Sequence, residues 1–562
     1  MERDDNILVA LYRSRLKWVV SILSIMLLGL VSRVVYLCIY QQLFLKNQGN
    51  ARSVRTTDYK PRGRGVITDR NNEPMAISVP SSAVWVDPKL YKVTELQERM
   101  LAELLELPLD RLRSIIDAHK NSRFVYLRRH LSISKARQVT VLKIPGIYCK
   151  KGYKRYYPEG RVLAPVLGVT DVDDSGQEGL ELLYDDWLSN HSGKLQVLKD
   201  CLGNVVGGVQ RLQMPESSHN LQLSIDSRIQ RVVFDELTKT VSQFNAESGS
   251  VVVLSVKTGE ILAMVNVPSY DPNNRAGDLK NLRNRVVTDL FEPGSTAKIF
   301  TAAAALHSGK FRSTSVIDTN PGVFYVGGHA IYDALNINNG RLTLSEVLQK
   351  SSDIGTAKVA LQLPDTLLLD NLRRFGLGAA TALGFPGERA GNLPGNLHNR
   401  PLVTATLSFG YAFNVTLLQM AQAYAIIANR GVLQPVTLLK QDIVIPSNGQ
   451  RRIPTNLADE LLKILEECVT SKNNHPAKVQ GYRVAGKTGT AHLSAGKRGY
   501  HRDRYCASFV GIAPVPDPQV VIAIVIRDPK GEHFGSKVAA PLFGRIVDKV
   551  LHILNISFDR EA

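Results

Sequence analysis

A single uninterrupted apolar run near the N-terminus, from Trp18 to Tyr40, limits what this chain can become more than any other feature of its sequence. The run holds one charged residue, Arg33, and a helix over it would span roughly 35 Å at about 1.5 Å per residue, enough to cross the hydrocarbon core of a bilayer. Arg33 lies toward one end, where its side chain can reach the lipid headgroups. Because no small-x-small cleavage site follows, the run predicts an uncleaved membrane anchor rather than a signal peptide.

The charges that precede the run predict its orientation. Arg13, Arg15 and Lys17 lie just before it, and basic residues favour the cytoplasmic side of a membrane. With 562 residues the chain has room for two or three domains, most of it outside the cytoplasm. We expect three N-terminal segments: a cytoplasmic tail over 1–17, the anchor over 18–40 and a linker over 41–61.

Between Arg62 and about Pro215 the pattern mixes short strands, helices and turns. Apolar residues recur at helical spacing in the region Val93–Lys120 and predict an amphipathic helix there. Later in this region, the Gly- and Asp-rich stretch 168–188 predicts a loop followed by a helix. The residues that the first helix should bury are Leu96, Met100, Leu101, Leu104 and Leu105.

From about Ser218 the pattern changes to that of a sheet with inserted helices. Residues 248–256 and 260–267 flank Lys257-Thr258-Gly259 and predict a strand, a turn and a strand. Strands at both ends of this region with helices between them indicate an α+β fold, an antiparallel sheet with a helical lobe. The remaining elements are expected as alanine-rich helices at 295–307, 344–361 and 416–428, strands at 483–491, 506–515 and 519–526, and a closing helix at 541–554.

The chain is strongly basic, with a formal net charge of +18. Such an excess favours an anionic partner, for example nucleic acid, anionic lipid or an acidic wall polymer. No helix-turn-helix, zinc-finger or RNP-type pattern accompanies the basic residues, so nucleic acid is disfavoured and we expect envelope proteins or anionic lipid. The densest basic stretch contains Arg123, Arg128, Arg129, Lys135, Arg137, Lys150, Lys151, Lys154 and Arg155.

The cysteines do not define a site. They are scattered, odd in number and without a CxxC pair, so they predict neither a disulfide framework nor a zinc site, although one disulfide stays open. The five are Cys38, Cys149, Cys201, Cys468 and Cys506.

An S-x-x-K motif at Ser295–Lys298 is the first candidate for catalysis. Residues three apart on a helix share a face at about 5–6 Å, so an uncharged Lys298 could take the proton of the Ser295 hydroxyl. Glu292-Pro293-Gly294 precedes the motif, and proline suits the first turn of a helix. Ser295 should therefore stand at a helix N-terminus, where free backbone N–H groups stabilise developing negative charge.

Alone this motif is weak, because S-x-x-K recurs at Ser14–Lys17, Ser132–Lys135 and Ser494–Lys497. A second element, Ser351-Ser352-Asp353, is also weak by itself, since its simplest interpretation is a helix cap. The order of the elements along the chain is what gives them specificity.

The third element, Lys487-Thr488-Gly489-Thr490, lies in a predicted strand. Glycine there lets a substrate backbone approach, and lysine with hydroxyl groups can hold a carboxylate. A second K-T-G, Lys257–Gly259, precedes Ser295 and falls in a predicted hairpin turn, so we interpret it as structural.

In this order, S-x-x-K, S-x-[N/D] and K-T-G-T form the signature of penicillin-binding proteins and serine β-lactamases. Longer stretches resemble class B penicillin-binding proteins, among them RGRGVITDRNNEPMAIS, FEPGSTAKIFTAAAAL and GYRVAGKTGTAH. The total length and the segment HNLQLSID most resemble the division-specific (FtsI) type of peptidoglycan D,D-transpeptidase.

The resemblance implies a non-catalytic pedestal over 62–215 and a transpeptidase domain over 218–555. It implies that Ser295 attacks the D-Ala–D-Ala bond of a peptidoglycan stem peptide, that Lys298 is the general base and that Ser351 relays the proton toward the leaving amine. β-Lactams would mimic the donor and trap the acyl-enzyme, and no metal or organic cofactor is implied. The implied substrate-binding residues are Asp353, Lys487, Thr488, Gly489 and Thr490.

Position 353 departs from the family pattern, which usually has asparagine there. An amide can donate a hydrogen bond to the substrate, whereas an ionised carboxylate can only accept one. A carboxylate would also favour the charged forms of Lys298 and Lys487. The resemblance therefore leaves the role of Asp353 open, although a Lys–Asp contact could still order the site.

The resemblance also implies location and partners: a single pass through the inner membrane, a periplasmic catalytic domain, a membrane glycosyltransferase and other division proteins. An elongation-type transpeptidase, a D,D-carboxypeptidase and a β-lactamase are alternatives on the same fold. Two alternatives are not enzymes: a catalytically silent scaffold of the division machinery and a β-lactam sensor. The intact Ser295, Lys298, Ser351 and Lys487 argue against a scaffold, and the short N-terminal tail argues against a sensor.

Overall fold

The computed structural model describes residues 2–59, 63–189, 193–199, 205–213, 218–274, 281–441, 449–471, 475–496 and 499–559. The chain separates into two compact units. One comprises Met1–Arg62 and Asn190–Ser217, and the other comprises Gly63–Ser189 and Ser218–Ala562.

Helices and strands alternate along most of the described residues. The helices are α1 (Glu2–Ile39), α2 (Gln42–Ser53), α3 (Glu95–Leu104), α4 (Leu109–Ala118), α5 (Ile133–Val141), α6 (Ala164–Leu167), α7 (Gly179–Leu183), α8 (Asp185–Leu188), α9 (Ser227–Gln243), α10 (Arg285–Thr288), α11 (Lys298–His307), α12 (Leu344–Gln349), α13 (Asp353–Ala360), α14 (Asp365–Arg374), α15 (Pro401–Ser408), α16 (Leu417–Ala428), α17 (Thr455–Thr470) and α18 (Gly535–Ile553).

The strands are β1 (Val54–Tyr59), β2 (Ile67–Thr68), β3 (Pro74–Val86), β4 (Val125–Leu131), β5 (Ile147–Tyr156), β6 (Gly193–Lys199), β7 (Val205–Gln213), β8 (Leu221–Gln222), β9 (Ser248–Ser255), β10 (Ile261–Val267), β11 (Val316–Asp318), β12 (Val323–Val326), β13 (His329–Tyr332), β14 (Arg341–Thr343), β15 (Val432–Leu433), β16 (Gln450–Arg451), β17 (Ala485–Ser494), β18 (Tyr500–Ala513) and β19 (Val520–Arg527).

The first unit contains the apolar run as one continuous helix. Within α1, residues Tyr12–Ile39 are long and apolar enough to cross a membrane, and their side chains are not buried in the protein. The stretch 41–61, predicted as a linker, has regular structure over its described residues, where α2 is followed by β1. Strands β1, β6 and β7 form a three-stranded antiparallel sheet in that order.

In the second unit, residues 63–189 build a sheet in which β3 pairs with β4 and β5. Helices α3, α4 and α5 cover one face through a buried cluster that includes Val84, Leu101 and Leu105. The single helix predicted over 93–120 is wrong, because α3 ends at Leu104 and α4 begins at Leu109 after its N-cap residue Pro108. The predicted core assignment also fails for the two most N-terminal residues, Leu96 (70% exposed) and Met100 (43% exposed).

Four of the nine residues of the basic stretch between residues 123 and 155 form ion pairs. Arg128 and Lys135 both contact Glu106, and Arg129 contacts Asp173 at 2.8 Å. Arg155 is buried and pairs with a buried glutamate. The local positive charge is therefore smaller than the sequence suggests.

The later part of this unit centres on a five-stranded antiparallel sheet in the order β10-β9-β19-β18-β17. Every residue of β10 is buried, because helices cover both faces. Residues of α9 and α18 form one apolar layer, and α11, α16 and α17 contribute to the other. The predicted α+β class, with an antiparallel sheet and a helical lobe, is confirmed.

Two helix predictions need correction. The helix expected over 344–361 is two helices, α12 and α13, separated by a left-handed residue, Ser351. The closing helix begins at Gly535 rather than Pro541, and proline lies inside it. Both differences matter because the break and the earlier start lie beside the functional site.

Candidate active site

Two glycines hold the turn that carries Ser295 against a second loop. Ser295 lies in a short 3₁₀ turn, Gly294–Ala297, that runs directly into α11. Gly294 has a left-handed backbone with φ +54°, and its N–H donates to the Gly410 carbonyl over 3.0 Å. A Cβ atom on Gly410 would lie 2.0 Å from the Gly294 oxygen. A side chain at position 410 would therefore displace the turn.

Lys298 opens α11 and is fully buried. Its Nζ atom donates to the backbone oxygen of Ser351 over 2.5 Å and lies 3.3 Å from the Ser351 hydroxyl oxygen. The Asp353 carboxylate lies 2.5 Å from the same Nζ atom. These three acceptors match the three donors of an ammonium group. The predicted contact between Lys298 and Asp353 is thus present.

The break between α12 and α13 brings Ser351 to Lys298. Ser351 has φ +58°, a conformation that is uncommon for a residue with a side chain. Ser352 caps α13 by accepting from the Gly355 N–H over 2.9 Å, and its hydroxyl donates to the buried Asp333. The adjacent serines therefore differ in role: Ser352 fixes the helix start, whereas Ser351 contacts the lysine.

Lys487, in the edge strand β17, reaches the same serine. Its Nζ atom donates to the Ser351 hydroxyl oxygen over 3.0 Å and to the Thr488 carbonyl over 3.3 Å. The side chain is almost completely buried. The Ser351 hydroxyl thus bridges Lys298 and Lys487, which is the geometry that a proton relay requires.

The start of α18 orients the Thr490 hydroxyl. The Gly535 N–H donates to Thr490 Oγ over 2.9 Å, so the hydroxyl hydrogen remains available for another acceptor. A Cβ atom on Gly535 would lie 2.3 Å from the Gly489 oxygen, and one on Gly489 would lie 2.9 Å from the Pro293 oxygen. The two glycines let α18, β17 and the nucleophile turn approach backbone to backbone.

These groups border one cleft of about 780 Å³, which Ser295, Ser351, Asp353 and Thr490 help to line. Cys468 also lines it, but burial raises the pKa of its thiol to about 11. Because the thiolate is the reactive form of cysteine, this pKa argues against Cys468 as the nucleophile.

Aromatic side chains that no motif singled out form part of the cleft wall. The rings of Tyr505 and His533 stack with their centroids 3.9 Å apart, and Phe534 lies 4.5 Å from His533. Tyr411 also lines the cleft, and burial raises its pKa to about 12. Tyr411, Tyr505 and the pair His533-Phe534 are far apart in the sequence, so only the tertiary fold brings them together.

Glu292, three residues before the nucleophile, joins its turn to two other segments. Its Oε1 atom accepts from the Ala412 N–H over 3.0 Å and from the Tyr500 hydroxyl over 2.9 Å. Burial raises the pKa of this carboxyl group. The sequence shows Glu292 directly before Pro293 and Gly294, but it does not predict that Glu292 binds Ala412 and Tyr500.

The competing motifs have structural roles or lie elsewhere. Ser132 caps α5, Ser14 lies in α1, and Lys497 falls outside the described residues. Lys257 follows β9 in the turn before β10 and pairs with Asp517 at 2.8 Å. The interpretation of this second K-T-G as structural agrees with that position.

The assembled groups are suited to acyl transfer. Ser295, just before helix α11, lines the same cleft as Ser351. The Ser351 hydroxyl connects the amines of Lys298 and Lys487. Within the described part of the chain no hydrogen bond joins Ser295 to Lys298, so the relay and the nucleophile are adjacent but not yet coupled. Because β17 is an edge strand, an extended peptide could pair along it.

Two family models match the chain. Residues 59–223 match the penicillin-binding protein dimerisation domain, and residues 249–548 match the penicillin-binding protein transpeptidase domain.

Curated relatives are similar over almost the whole chain. The peptidoglycan D,D-transpeptidase FtsI of Escherichia coli K12 is 40% identical, with 94% of this chain and 90% of that protein aligned. The probable peptidoglycan D,D-transpeptidase PbpC of Pseudomonas aeruginosa is 41% identical, with coverages of 96% and 95%.

Solved structures agree with these relatives. Penicillin-binding protein 3 of Mycobacterium tuberculosis, complexed with aztreonam, is 27% identical with a TM-score of 0.66 over 90% of this chain and 98% of that one. A peptidoglycan synthetase of Bifidobacterium adolescentis, 22% identical, has a TM-score of 0.72 over 91% and 98% and supports the fold alone.

Proposed function

Because the chain belongs to the penicillin-binding protein family, we propose that it is a class B, division-type D,D-transpeptidase that cross-links peptidoglycan stem peptides through an acyl-enzyme at Ser295. The observation that carries this proposal is the hydroxyl of Ser351 between the buried amines of Lys298 and Lys487, 3.3 Å and 3.0 Å away, in the cleft of Ser295.

In the acylation step, the Ser295 hydroxyl oxygen attacks the carbonyl carbon of the D-Ala–D-Ala bond and its proton passes to Lys298. The C–N bond then breaks, Ser351 delivers its proton to the leaving amine and takes the proton held by Lys298, and D-alanine departs. The backbone N–H groups of Ser295 and Thr490 stabilise the oxyanion. An amine of a neighbouring stem peptide takes the acyl group, and the proton that this amine loses replaces the one on Ser295.

The terminal carboxylate of the donor binds along β17. Lys487 supplies the charge, and the hydroxyl groups of Thr488 and Thr490 donate hydrogen bonds. The Gly535 N–H already occupies one lone pair of Thr490 Oγ, which leaves its hydrogen to point to the carboxylate. Gly489 contributes space, and Asp353 contacts Lys298 rather than serving as a hydrogen-bond donor to the substrate.

The orientation of the chain in the membrane follows from the basic residues that precede the apolar run of α1. We place residues 1–17 in the cytoplasm, the single anchor in the inner membrane and the catalytic part in the periplasm, because Arg13, Arg15 and Lys17 precede the apolar run. A membrane glycosyltransferase and other division proteins are the expected partners, since transpeptidation needs newly made glycan strands.

The test is labelling of the full chain in detergent with a fluorescent penicillin. Wild type should acquire one adduct at Ser295, and Ser295→Ala should acquire none. Ser132→Ala, which removes the serine of another S-x-x-K, is the matched control and should label normally. An adduct mapped by mass spectrometry to Ser14, Ser132 or Ser494, or no adduct on wild type, would contradict the proposal.

A second assay separates transpeptidation from carboxypeptidation. The enzyme is given a D-Ala–D-Ala donor peptide with an amine acceptor. We expect D-alanine release together with a cross-linked product, whereas release of D-alanine without cross-linking would favour the carboxypeptidase alternative.

A further inference from the structure

We propose that the cleft selects acyl donors that carry a second carboxylate in addition to the one at the donor's C-terminus, and that Lys537 recognises it with help from Lys350. This inference rests on the proposed function and names the chemistry of its substrate: a stem peptide with an acidic side chain near the scissile bond, or a β-lactam with an acidic side chain.

The charges around the cleft are unbalanced. Lys350, Lys487 and Lys537 line it, whereas Asp353 is the only carboxylate among the described lining residues. That carboxylate lies 2.5 Å from the buried amine of Lys298, so it is already committed to another cation. A cleft lined by charges of one sign raises the local concentration of oppositely charged ligands.

The backbone of Lys537 lies close to β17, the strand that binds the donor carboxylate in the proposed function. It lies in the first turn of α18, which begins where the Gly535 N–H binds Thr490 Oγ. Its side chain is exposed, and within the described part of the chain it forms no ion pair. Lys537 is therefore two residues from the backbone group that orients a carboxylate-binding hydroxyl.

Lys350 occupies the position directly before Ser351. It is exposed, and it likewise forms no ion pair with a described residue. Glu346, one turn earlier on α12, is committed to the helix cap, where it accepts from the Thr343 N–H over 2.8 Å. Lys350 thus adds a second, partly balanced cation on the α12 side of the cleft, since the Glu346 carboxylate lies near enough to interact with it without forming an ion pair.

A donor with a single carboxylate would leave both lysines without an anionic partner. By the proposed function that carboxylate is held at Lys487, Thr488 and Thr490, so Lys350 and Lys537 do not serve it. Exposed lysines are commonly just solvated, and the experiment must therefore separate recognition of a second carboxylate from a general surface charge.

The probes are benzylpenicillin and its α-carboxy analogue, which differ by one side-chain carboxylate and share the ring carboxylate. Second-order acylation rates are measured on the full chain in detergent. Lys537→Gln should lower the rate with the α-carboxy compound about tenfold and leave the benzylpenicillin rate within twofold. The loss should shrink at 1 M salt, where the Debye length falls to about 3 Å.

The matched control is Lys530→Gln, because Lys530 pairs with Asp528 at 2.9 Å and does not line the cleft. It should change neither rate. Lys350→Gln should act in the same direction as Lys537→Gln with a smaller loss, and equal rates for Lys350→Gln and wild type would remove Lys350 from the proposal.

Equal losses with both penicillins would mean that Lys537 acts on the cleft as a whole, and no loss with either would mean that it is only solvated. Either result overturns the inference. Failure of the proposed function would look different, since wild type would then react with neither penicillin at Ser295.

Discussion

Asp353 holds the proton-accepting lysine in place. Its carboxylate lies 2.5 Å from Lys298, and the Ser351 oxygens supply the other two acceptors of that amine. Three acceptors match the three donors of an ammonium group. The aspartate therefore fixes the amine beside the Ser351 hydroxyl.

Replacement of this residue tests that role. Asp353→Asn keeps the size of the side chain and removes the negative charge, and it should retain acylation, because the amide oxygen can still accept from the Lys298 amine. The measurement is the rate of acylation by benzylpenicillin for both proteins. Loss of labelling in Asp353→Asn would show that the carboxylate itself is needed.

The motif residues could be predicted from the sequence because their order along the chain is informative even when each motif is weak. Ser295, Ser351 and Lys487 do meet around one cleft. Asp333, which binds Ser352, and His533, which stacks on Tyr505, could not be predicted. They carry no motif, and their roles depend on contacts between residues that are distant in the chain.

At the scale of secondary-structure elements, the decisive feature is the junction between α12 and α13. The sequence analysis predicts one helix over 344–361, although residues 349–353 are all polar. Ser352 caps the start of α13, and Ser351 before it has a left-handed backbone conformation, so the two helices are separate. Side-chain hydrogen bonds to nearby backbone groups compete with helix continuation in this way, and the helix cap considered for Ser351-Ser352-Asp353 is the feature that divides the predicted helix.

The junction yields a prediction that separates backbone strain from proton relay. Ser351→Ala and Ser351→Gly both remove the hydroxyl, and both should lower acylation by about 10²–10⁴-fold. Ser351→Gly should be more stable than Ser351→Ala by about 1 kcal/mol, because glycine adopts φ +58° without steric cost.

Thermal melting of the two variants provides the stability comparison, and penicillin labelling provides the rates. A glycine variant less stable than the alanine variant would contradict the left-handed backbone at 351. Near-normal labelling of either variant would remove the relay role of Ser351.

The start of α18 shows a different limit of prediction. The sequence analysis predicts the closing helix over 541–554. The helix instead begins at Gly535, where the missing side chain allows contact with Gly489. Tertiary packing sets this boundary, whereas the apolar runs of β18 and β19 are recognisable from the sequence alone.

For the whole molecule, the order of anchor, mixed region and sheet with inserted helices followed from hydropathy and motif order. The buried ion cluster of the region 63–189 could not be predicted in this way. Arg64 and Arg155, almost completely buried, both contact the fully buried Glu181, at 2.5 Å and 2.7 Å. These residues are more than 25 positions apart along the chain, and each appears in the sequence as an ordinary charged residue.

The cluster should be a main determinant of stability in this region. Glu181→Gln leaves Arg155 without a carboxylate partner, while Arg64 keeps only Asp185 at 2.6 Å. Removal of one partner from a buried pair typically costs about 3–5 kcal/mol, because a buried charge is left uncompensated. We therefore expect a clear fall in the midpoint of thermal unfolding of the full chain in detergent.

The matched control is Asp186→Asn, which removes the same charge from an exposed neighbouring position and should change stability by less than about 0.5 kcal/mol. Below the unfolding temperature, Glu181→Gln should still react with penicillin at the wild-type rate, because the cluster does not contact Ser295 or the lysines of the cleft. Equal melting of Glu181→Gln and Asp186→Asn would show that the two arginines find compensation elsewhere. Slower acylation of a fully folded Glu181→Gln protein would instead show that this cluster influences the catalytic cleft.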